Sequence, residues 1–113
     1  MGFFSCSQVG NTYIGDVRII ARKTLRDFWV KCGDSEQPLK AWFQEAKQAK
    51  WNNPNDIKAK YLSASILKHG RVVFNIGGGK YRLVVRVNYK YALVYIRFIG
   101  THEKYDDINA EEI

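Results

Sequence analysis

Apolar positions in the first half of the chain recur with a helical period. Leu25, Phe28 and Trp29 follow the i, i+3, i+4 spacing of one helix face, and Thr24 stands before them as a candidate N-cap. A second helix is predicted from Pro38, because proline suits a first turn. The apolar residues that share one face of this helix are Leu39, Trp42, Phe43 and Ala46. The first half therefore predicts two amphipathic helices.

The second half alternates apolar and polar residues with the period of two that is typical of strands. The segments with this pattern are KYRLVVRVN and YALVYIRFI, while RVVFNI is also predicted to be a strand and SILK a short one. His69–Gly70 predicts a turn after SILK, and Gly77–Gly79 predicts a hairpin turn after RVVFNI, because glycine reaches positive φ without strain. In YALVYIRFI the alternation assigns Ala92, Val94, Ile96 and Phe98 to one face and Arg97 to the other.

The order of these elements predicts an α+β fold. A short strand in residues 17–21 precedes the two helices, and the remaining strands follow them. The simplest arrangement is a small antiparallel sheet of three to five strands with the two N-terminal helices packed on one face. The sheet face that carries more basic residues is then expected to be open. With 113 residues, a single domain is expected over 17–113, preceded by a flexible extension over 1–16.

The charge distribution narrows the range of partners. Lys and Arg number 18 and Asp and Glu number 11, a net charge of +7. All 18 basic residues fall between Arg18 and Lys104, where only six acidic residues occur, so this span carries +12. Such a body attracts polyanions such as nucleic acid, although a solvated basic surface is the alternative.

The content of cysteine and histidine and the length of the apolar runs bear on three questions. These are the cellular compartment, the need for a cofactor and the contact with a membrane. Cys6 and Cys32 form no CxxC pair, so a zinc knuckle is not indicated, and reduced thiols favour a cytoplasmic protein. With only two histidines and two cysteines, no metal site and no cofactor are expected. No apolar run reaches the length of about 18 residues that a membrane span requires, so no membrane partner is expected.

Basic residues cluster on the predicted strands. Arg82 and Arg97 lie in neighbouring antiparallel strands, Lys80 and Arg86 flank Arg82, and His102 follows the last strand. Arginine suits bidentate phosphate contacts, and histidine transfers protons near neutral pH. This constellation indicates metal-independent RNA cleavage, in which the 2′-OH attacks the adjacent phosphorus. The alternative is two surface arginines and a histidine that caps or packs.

Two weaker groups of candidates complete this set. Tyr105 follows His102 by three residues and would lie on the same side of a helical segment. A second basic group, which we call the lysine patch, contains Lys47, Lys50, Lys58 and Lys60. It is interpreted as a phosphate-positioning surface, with solvated helix faces as the alternative.

The segment RVVFNIGGGKYRLVVRVNYKYALVYIRFIGTHEKYDDI resembles the HigB toxins of bacterial toxin–antitoxin systems, within the RelE/ParE-like superfamily. The upstream segments RIIARKTLRDFW, PLKAWFQEAK and DIKAKYLSASI occur in the order and spacing of the same family. The resemblance covers residues 17–113 and implies a RelE-like α+β fold. Val17 falls where such a toxin would start with methionine, so residues 1–16 are expected to be an upstream extension.

The resemblance also implies a function and a set of site residues. It implies a ribosome-dependent mRNA endonuclease, an mRNA interferase, held inactive by a HigA-like helix-turn-helix antitoxin. Operator DNA would be contacted only through that antitoxin. Matching positions carry over Arg82, Arg97 and His102 as catalytic residues, with His102 transferring a proton, the arginines clamping phosphate and Tyr105 in support. Further matching positions, expected to contact RNA or assist, are Asn75, Lys80 and Asp106.

Two other function classes remain open. One is a binding-only module that uses the basic face for RNA, DNA or an acidic peptide, and the other is a ParE-like inhibitor of DNA gyrase. Binding alone needs no titrating residue, so His102 beside two arginines favours the endonuclease.

Overall fold

The computed structural model describes residues 18–113. The predicted extension over 1–16 and the first residue of the predicted strand lie outside the described residues. The elements are β1 (Arg18–Ile20), α1 (Arg22–Lys31), a 3-10 turn (Gly33–Ser35), α2 (Glu36–Gln48), α3 (Pro54–Lys60), β2 (Ser65–Ile66), β3 (Arg71–Ile76), β4 (Tyr81–Asn88), β5 (Leu93–Thr101) and α4 (His102–Asp106). None of these helices is long and apolar enough to cross a bilayer.

The sheet has five strands in the order β1-β5-β4-β3-β2. Strands β2 to β5 pair antiparallel, as predicted, whereas β1 runs parallel to β5 with Ile19 opposite Val94. Parallel neighbours need a long connection, and the helices and strands between β1 and β5 supply one. The predicted α+β fold is confirmed, with a mixed sheet consistent with a RelE-like fold.

Helices α1 and α2 pack on one face of the sheet through the apolar stripes that the sequence predicts. Leu25 and Trp29 of α1 and Leu39, Trp42 and Ala46 of α2 are buried against sheet residues. Phe74 of β3 lies at the centre of this core, with its ring centroid 5.3 Å from that of Trp42. Burying each such large side chain contributes roughly 1.5–3 kcal/mol.

The start of α1 differs from its prediction. The helix begins at Arg22 after Ala21, and no side chain caps it. The prediction of Thr24 as N-cap is therefore wrong, because Thr24 already lies within the first turn. The backbone N–H of Thr24 donates to the Ala21 carbonyl at 3.1 Å, so the first turn closes without its hydroxyl.

A β-bulge at Arg97 changes the alternation of β5. Val85 pairs with Ile96 and Val84 pairs with Phe98, so Arg97 is an extra residue between them. The extra residue shifts the phase of the strand, so Ile96 packs into the helix-side core and Phe98 on the opposite face. The predicted common face of Ile96 and Phe98 is therefore wrong.

The second sheet face is covered at its centre by the C-terminal segment. Val73 and Val84 are buried there beneath the residues that pack on them, which are Leu67, Phe98, Tyr105, Ile108, Ala110 and Ile113. Arg71 anchors the segment, because its Nη2 donates to the Ile113 carbonyl at 2.6 Å. The expectation of an open basic face is wrong for this central part. The apolar residues between 105 and 113 cover it.

Candidate active site

Three strands align polar residues at the end of the sheet beside the glycine hairpin. Asn75 of β3 pairs with Arg82 of β4, and Arg82 pairs with Gly100 of β5. The guanidinium of Arg82 is half-buried and donates through Nη1 to the Gly79 carbonyl at 2.5 Å. Gly79 has a φ of +97°, a conformation that L side chains rarely adopt. The hairpin thus holds one edge of the guanidinium.

His102 joins this end of the sheet through the backbone. Its N–H donates to the Lys80 carbonyl at 3.3 Å, one step beyond the pairing of Tyr81 with Thr101. Neighbouring strands lie about 4.8 Å apart, so the structure places His102 next to Lys80. His102 is also two positions along the chain from Gly100, which pairs with Arg82.

The imidazole of His102 is accessible. Its side chain is 55% exposed, and Nδ1 lies 3.7 Å from Oδ2 of Asp106. That separation is too long for a hydrogen bond and leaves both ring nitrogens open to a substrate. The side chain of Thr101 caps α4 by accepting from the Lys104 N–H at 3.3 Å, which orients the start of the segment that carries the histidine.

Lys80 is held by a residue that the sequence analysis did not identify. Its ammonium pairs with the carboxylate of Asp34 in the 3-10 turn, and the same carboxylate accepts from the Tyr81 hydroxyl at 2.5 Å. The hydrogen bond to Asp34 raises the pKa of Lys80, and the hydrogen bond from Lys80 lowers the pKa of Asp34. Lys80 is therefore a cation suited to phosphate and not to proton abstraction. No local signal identifies Asp34, because 46 positions separate it from Lys80.

The two other predicted arginines lie farther along the sheet. Arg97 is exposed at the bulge opposite Val84 and Val85, three positions along β5 from Gly100, the partner of Arg82. Three positions correspond to about 10 Å along a strand. Arg86 is exposed toward the other end of β4, beyond the apolar centre that the C-terminal segment covers.

Tyr105, the predicted supporting residue, belongs to the apolar cluster on the second sheet face. It is half-buried among the apolar residues over Val73 and Val84, where it supports the C-terminal segment. Asp106 is exposed, with its carboxylate directed toward His102.

The lysine patch belongs to the helical layer. Lys47 lies in the last turn of α2, Lys58 and Lys60 in α3, and Lys50 in the segment between these helices. Both helices contribute to the core on the sheet face opposite to Val84. Lys58 donates to the carbonyls of Leu62 and Ala64, each at 2.6 Å, so its ammonium stabilises the end of α3.

Comparison with known proteins identifies the family. Residues 35–108 match the family model of the HigB toxin, described as the RelE-like toxic component of a toxin–antitoxin system. The chain is 29% identical over 96 residues to the "mRNA interferase toxin HigB" of Escherichia coli K12, covering 83% of this chain and 92% of the relative. A protein named "mRNA interferase HigB" in Shigella flexneri matches equally. The family match spans well over half of the chain, which belongs to the HigB family of RelE-like toxins.

Proposed function

We propose that the protein is the toxin of a type II toxin–antitoxin system and cleaves mRNA on the ribosome. The observation that carries this proposal is the hydrogen bond between the His102 N–H and the Lys80 carbonyl, which joins a proton-transfer group to a phosphate-binding hairpin. The names of the relatives as mRNA interferases support the same activity.

The reaction needs no group beyond the RNA and the side chains of this site. The substrate 2′-oxygen bonds to the adjacent phosphorus, and the bond from phosphorus to the leaving 5′-oxygen breaks. One proton leaves the 2′-OH and another reaches the 5′-oxygen. His102 performs one of these transfers. Arg82 and Lys80 stabilise the negative charge that develops on the phosphate oxygens.

The remaining candidates have secondary roles. Asn75 lies opposite Arg82 and donates from Nδ2 to the Ser63 carbonyl at 3.2 Å, so it lines the approach to the phosphate. Arg97 and Arg86 are exposed cations along the same sheet and extend the path of the RNA backbone. Tyr105 supports α4 from the apolar cluster and thereby positions His102.

The binding partners that we propose follow from the basic charge of the protein and from its family. A HigA-like helix-turn-helix antitoxin binds the basic body and blocks the site, and operator DNA is reached only through the antitoxin. The protein acts in the cytoplasm, where the ribosome presents mRNA as single strands.

The test is primer extension on mRNA after brief induction, comparing wild type with His102→Ala. New 5′ ends should arise with wild type and disappear with His102→Ala, while the purified variant still binds antitoxin and ribosomes. His69→Asn is the matched control, because His69 lies in a turn with a φ of 60°, which asparagine tolerates. Uncut transcripts with wild type, at verified expression, would exclude the nuclease, and DNA damage instead would indicate gyrase inhibition.

The chemical groups at the ends of the RNA fragments test the proposed cleavage mechanism. Cleavage by the 2′-OH leaves a 2′,3′-cyclic phosphate or its 3′-phosphate hydrolysis product on the upstream fragment. A 5′-phosphate on the downstream fragment would contradict this mechanism.

A further inference from the structure

An open cleft of about 510 Å³ lies at the end of the sheet opposite to the candidate active site. The segment between α2 and α3 forms one wall of this cleft, and the turn between β4 and β5 forms the other. Residues that line it include Lys50, Trp51, Asn52, Tyr89, Lys90 and Tyr91. Its volume falls within the range of about 300–1,000 Å³ that is usual for small-molecule sites, so it is large enough for one nucleotide.

The cleft is too far from the candidate active site to take part in the chemistry. Tyr81 and Asn88, the first and last residues of β4, are seven positions apart and pair with Thr101 and Leu93, respectively. Seven positions correspond to about 24 Å along a strand. Several nucleotides therefore separate a ligand in the cleft from the bond that is cut beside His102.

The turn between β4 and β5 presents an exposed aromatic ring. The N–H of Tyr91 donates to Oδ1 of Asn88 at 3.1 Å, and Ala92 follows with a φ of 54°, which non-glycine residues rarely adopt. The Tyr91 side chain is 64% exposed, and Nζ of Lys90 lies 5.3 Å from the centroid of its ring. A base that stacks on this ring would therefore carry its phosphate next to an ammonium group.

The charge of the cleft is positive. Lys50 and Lys90 are exposed, and neither forms an ion pair within the described part of the chain. None of the described residues that line the cleft is acidic. Asp56 lies beside it, where its Oδ2 accepts from the Asn52 N–H at 2.8 Å. Burial raises the pKa of Tyr89, so its hydroxyl stays neutral.

This combination of groups matches a single strand of RNA. Unpaired bases offer faces for stacking on an aromatic ring, and phosphates bind ammonium groups. An acidic peptide would satisfy Lys50 and Lys90 but would leave Tyr91 without a stacking partner. Paired RNA would also satisfy the charges, but its bases are already stacked within the helix. The mRNA strand supplies both unpaired bases and phosphates.

We propose that this cleft is a second binding site for the mRNA substrate, in which one unpaired base stacks on Tyr91 and the flanking phosphates contact Lys50 and Lys90. The site holds the strand several nucleotides from the cut and contributes affinity, not chemistry. This inference rests on the proposed function, because it places a further part of the same substrate.

The first experiment measures binding without cleavage. The full chain is titrated against a fluorescein-labelled 2′-O-methyl adenine dodecamer, which lacks the attacking 2′-OH, and anisotropy gives the Kd. Tyr91→Ala should weaken binding roughly 5- to 100-fold, the range for loss of one stacked base, whereas Tyr91→Phe keeps the ring and should bind like wild type.

The salt dependence of the same Kd tests the lysines. Lys50→Gln and Lys90→Gln should each reduce the slope of log K against log salt concentration by about 0.7, the value for one phosphate contact on a single strand. Tyr91→Ala should leave this slope unchanged, because stacking releases no counterion. Lys23→Gln is the matched control, since it removes the same charge from an exposed lysine of α1 that pairs with Asp27 outside the cleft.

The second experiment measures cleavage of mRNA on programmed ribosomes. Because the cleft is remote from the cut, Tyr91→Ala should raise KM and leave kcat unchanged. A lowered kcat at unchanged KM would place Tyr91 in the chemistry and overturn the proposal. Binding of each variant to ribosomes without mRNA is measured in parallel.

The outcomes separate this proposal from the proposed function. A dodecamer affinity that Tyr91→Ala and Lys90→Gln leave unchanged overturns the second site, while cleavage by wild type still supports the nuclease. Weaker binding of Tyr91→Ala to ribosomes without mRNA, at unchanged dodecamer affinity, would assign the cleft to ribosomal RNA and also overturn the proposal. Binding of the dodecamer that depends on Tyr91, in a protein that cuts no mRNA, supports the RNA site and contradicts the nuclease.

Discussion

The Tyr81 hydroxyl donates to Oδ1 of Asp34 at 2.5 Å, and the same carboxylate holds the Lys80 ammonium. These contacts tie Lys80 and the first residue of β4, Tyr81, to the 3-10 turn between α1 and α2. Because Lys80 also accepts the His102 N–H through its carbonyl, the position of the histidine depends on the same hairpin. Asp34 is thus a positioning residue for two groups of the proposed site.

Asp34→Asn should lower cleavage about tenfold, since a small displacement of a charged group is costly in a preorganised site. The loss should be in kcat, and Asp34→Glu should restore part of it. The control is Asp27→Asn, which removes the exposed 2.7 Å ion pair with Lys23 on α1. Equal activity of the two variants would show that Asp34 does not position the site.

The stability contributed by this network should depend on pH. The hydrogen bonds from Lys80 and then Tyr81 lower the pKa of Asp34 from its ordinary 3.8, so the contribution is present above that pH and is lost as pH falls through the lowered value. The pKa of Lys80 is raised from 10.5, so the contribution is also lost as pH rises above that range. Urea unfolding at about pH 6 should separate wild type from Asp34→Asn, and at about pH 3 the difference should shrink. A constant difference would contradict the assignment.

Arg82→Ala should lower cleavage by at least about 100-fold without unfolding the protein, because it removes a preorganised charge donor. The sequence predicts the same loss for Arg97→Ala. The register favours a larger effect for Arg82, since Arg97 lies at the bulge about 10 Å along β5. Single-turnover rates of mRNA cleavage on a ribosome programmed with that mRNA measure the effects of both substitutions. Arg26→Ala, an exposed arginine of α1, is the control, and near wild-type cleavage by Arg82→Ala would remove that residue from the site.

Ile108→Ser should destabilise the protein by about 1–2 kcal/mol, because it exposes part of the apolar surface over Val73 and Val84. Leu62→Ser is the control, since Leu62 is 78% exposed and should change the free energy of unfolding by less than about 0.5 kcal/mol. The midpoints of denaturant-induced unfolding distinguish the two variants. Equal midpoints would mean that the C-terminal segment does not stabilise the sheet.

Association with the antitoxin should slow as salt rises. The net charge of +12 between Arg18 and Lys104 steers an acidic partner over long distances, and added ions screen that attraction. Stopped-flow association rates at low and high ionic strength measure the effect. An association rate that salt leaves unchanged would exclude charge as the basis of recognition.

Local patterns were sufficient for α1 and α2, the hairpin and the turn at His69, whereas α3 was not predicted. The burial of Leu25, Trp29, Leu39 and Trp42 follows from spacing alone, because the helical period puts these residues on one face. The positive φ of Gly77–Gly79 follows from the absence of a Cβ atom. The family pattern over the second half of the chain likewise depends only on the order of residues, and the family match confirms it.

Contacts between distant segments decided the rest. The parallel pairing of β1 with β5 and the Asp34–Lys80 pair join residues that no local pattern relates. The bulge at Arg97 depends on the partner strand, because an extra residue is recognisable only against the residues that it opposes. The C-terminal segment contains too few apolar residues for a local pattern to predict that it is buried. It covers the sheet because Val73 and Val84 form an apolar surface beneath it. Long-range packing, which local propensity does not encode, therefore determines which part of the basic face remains accessible to RNA.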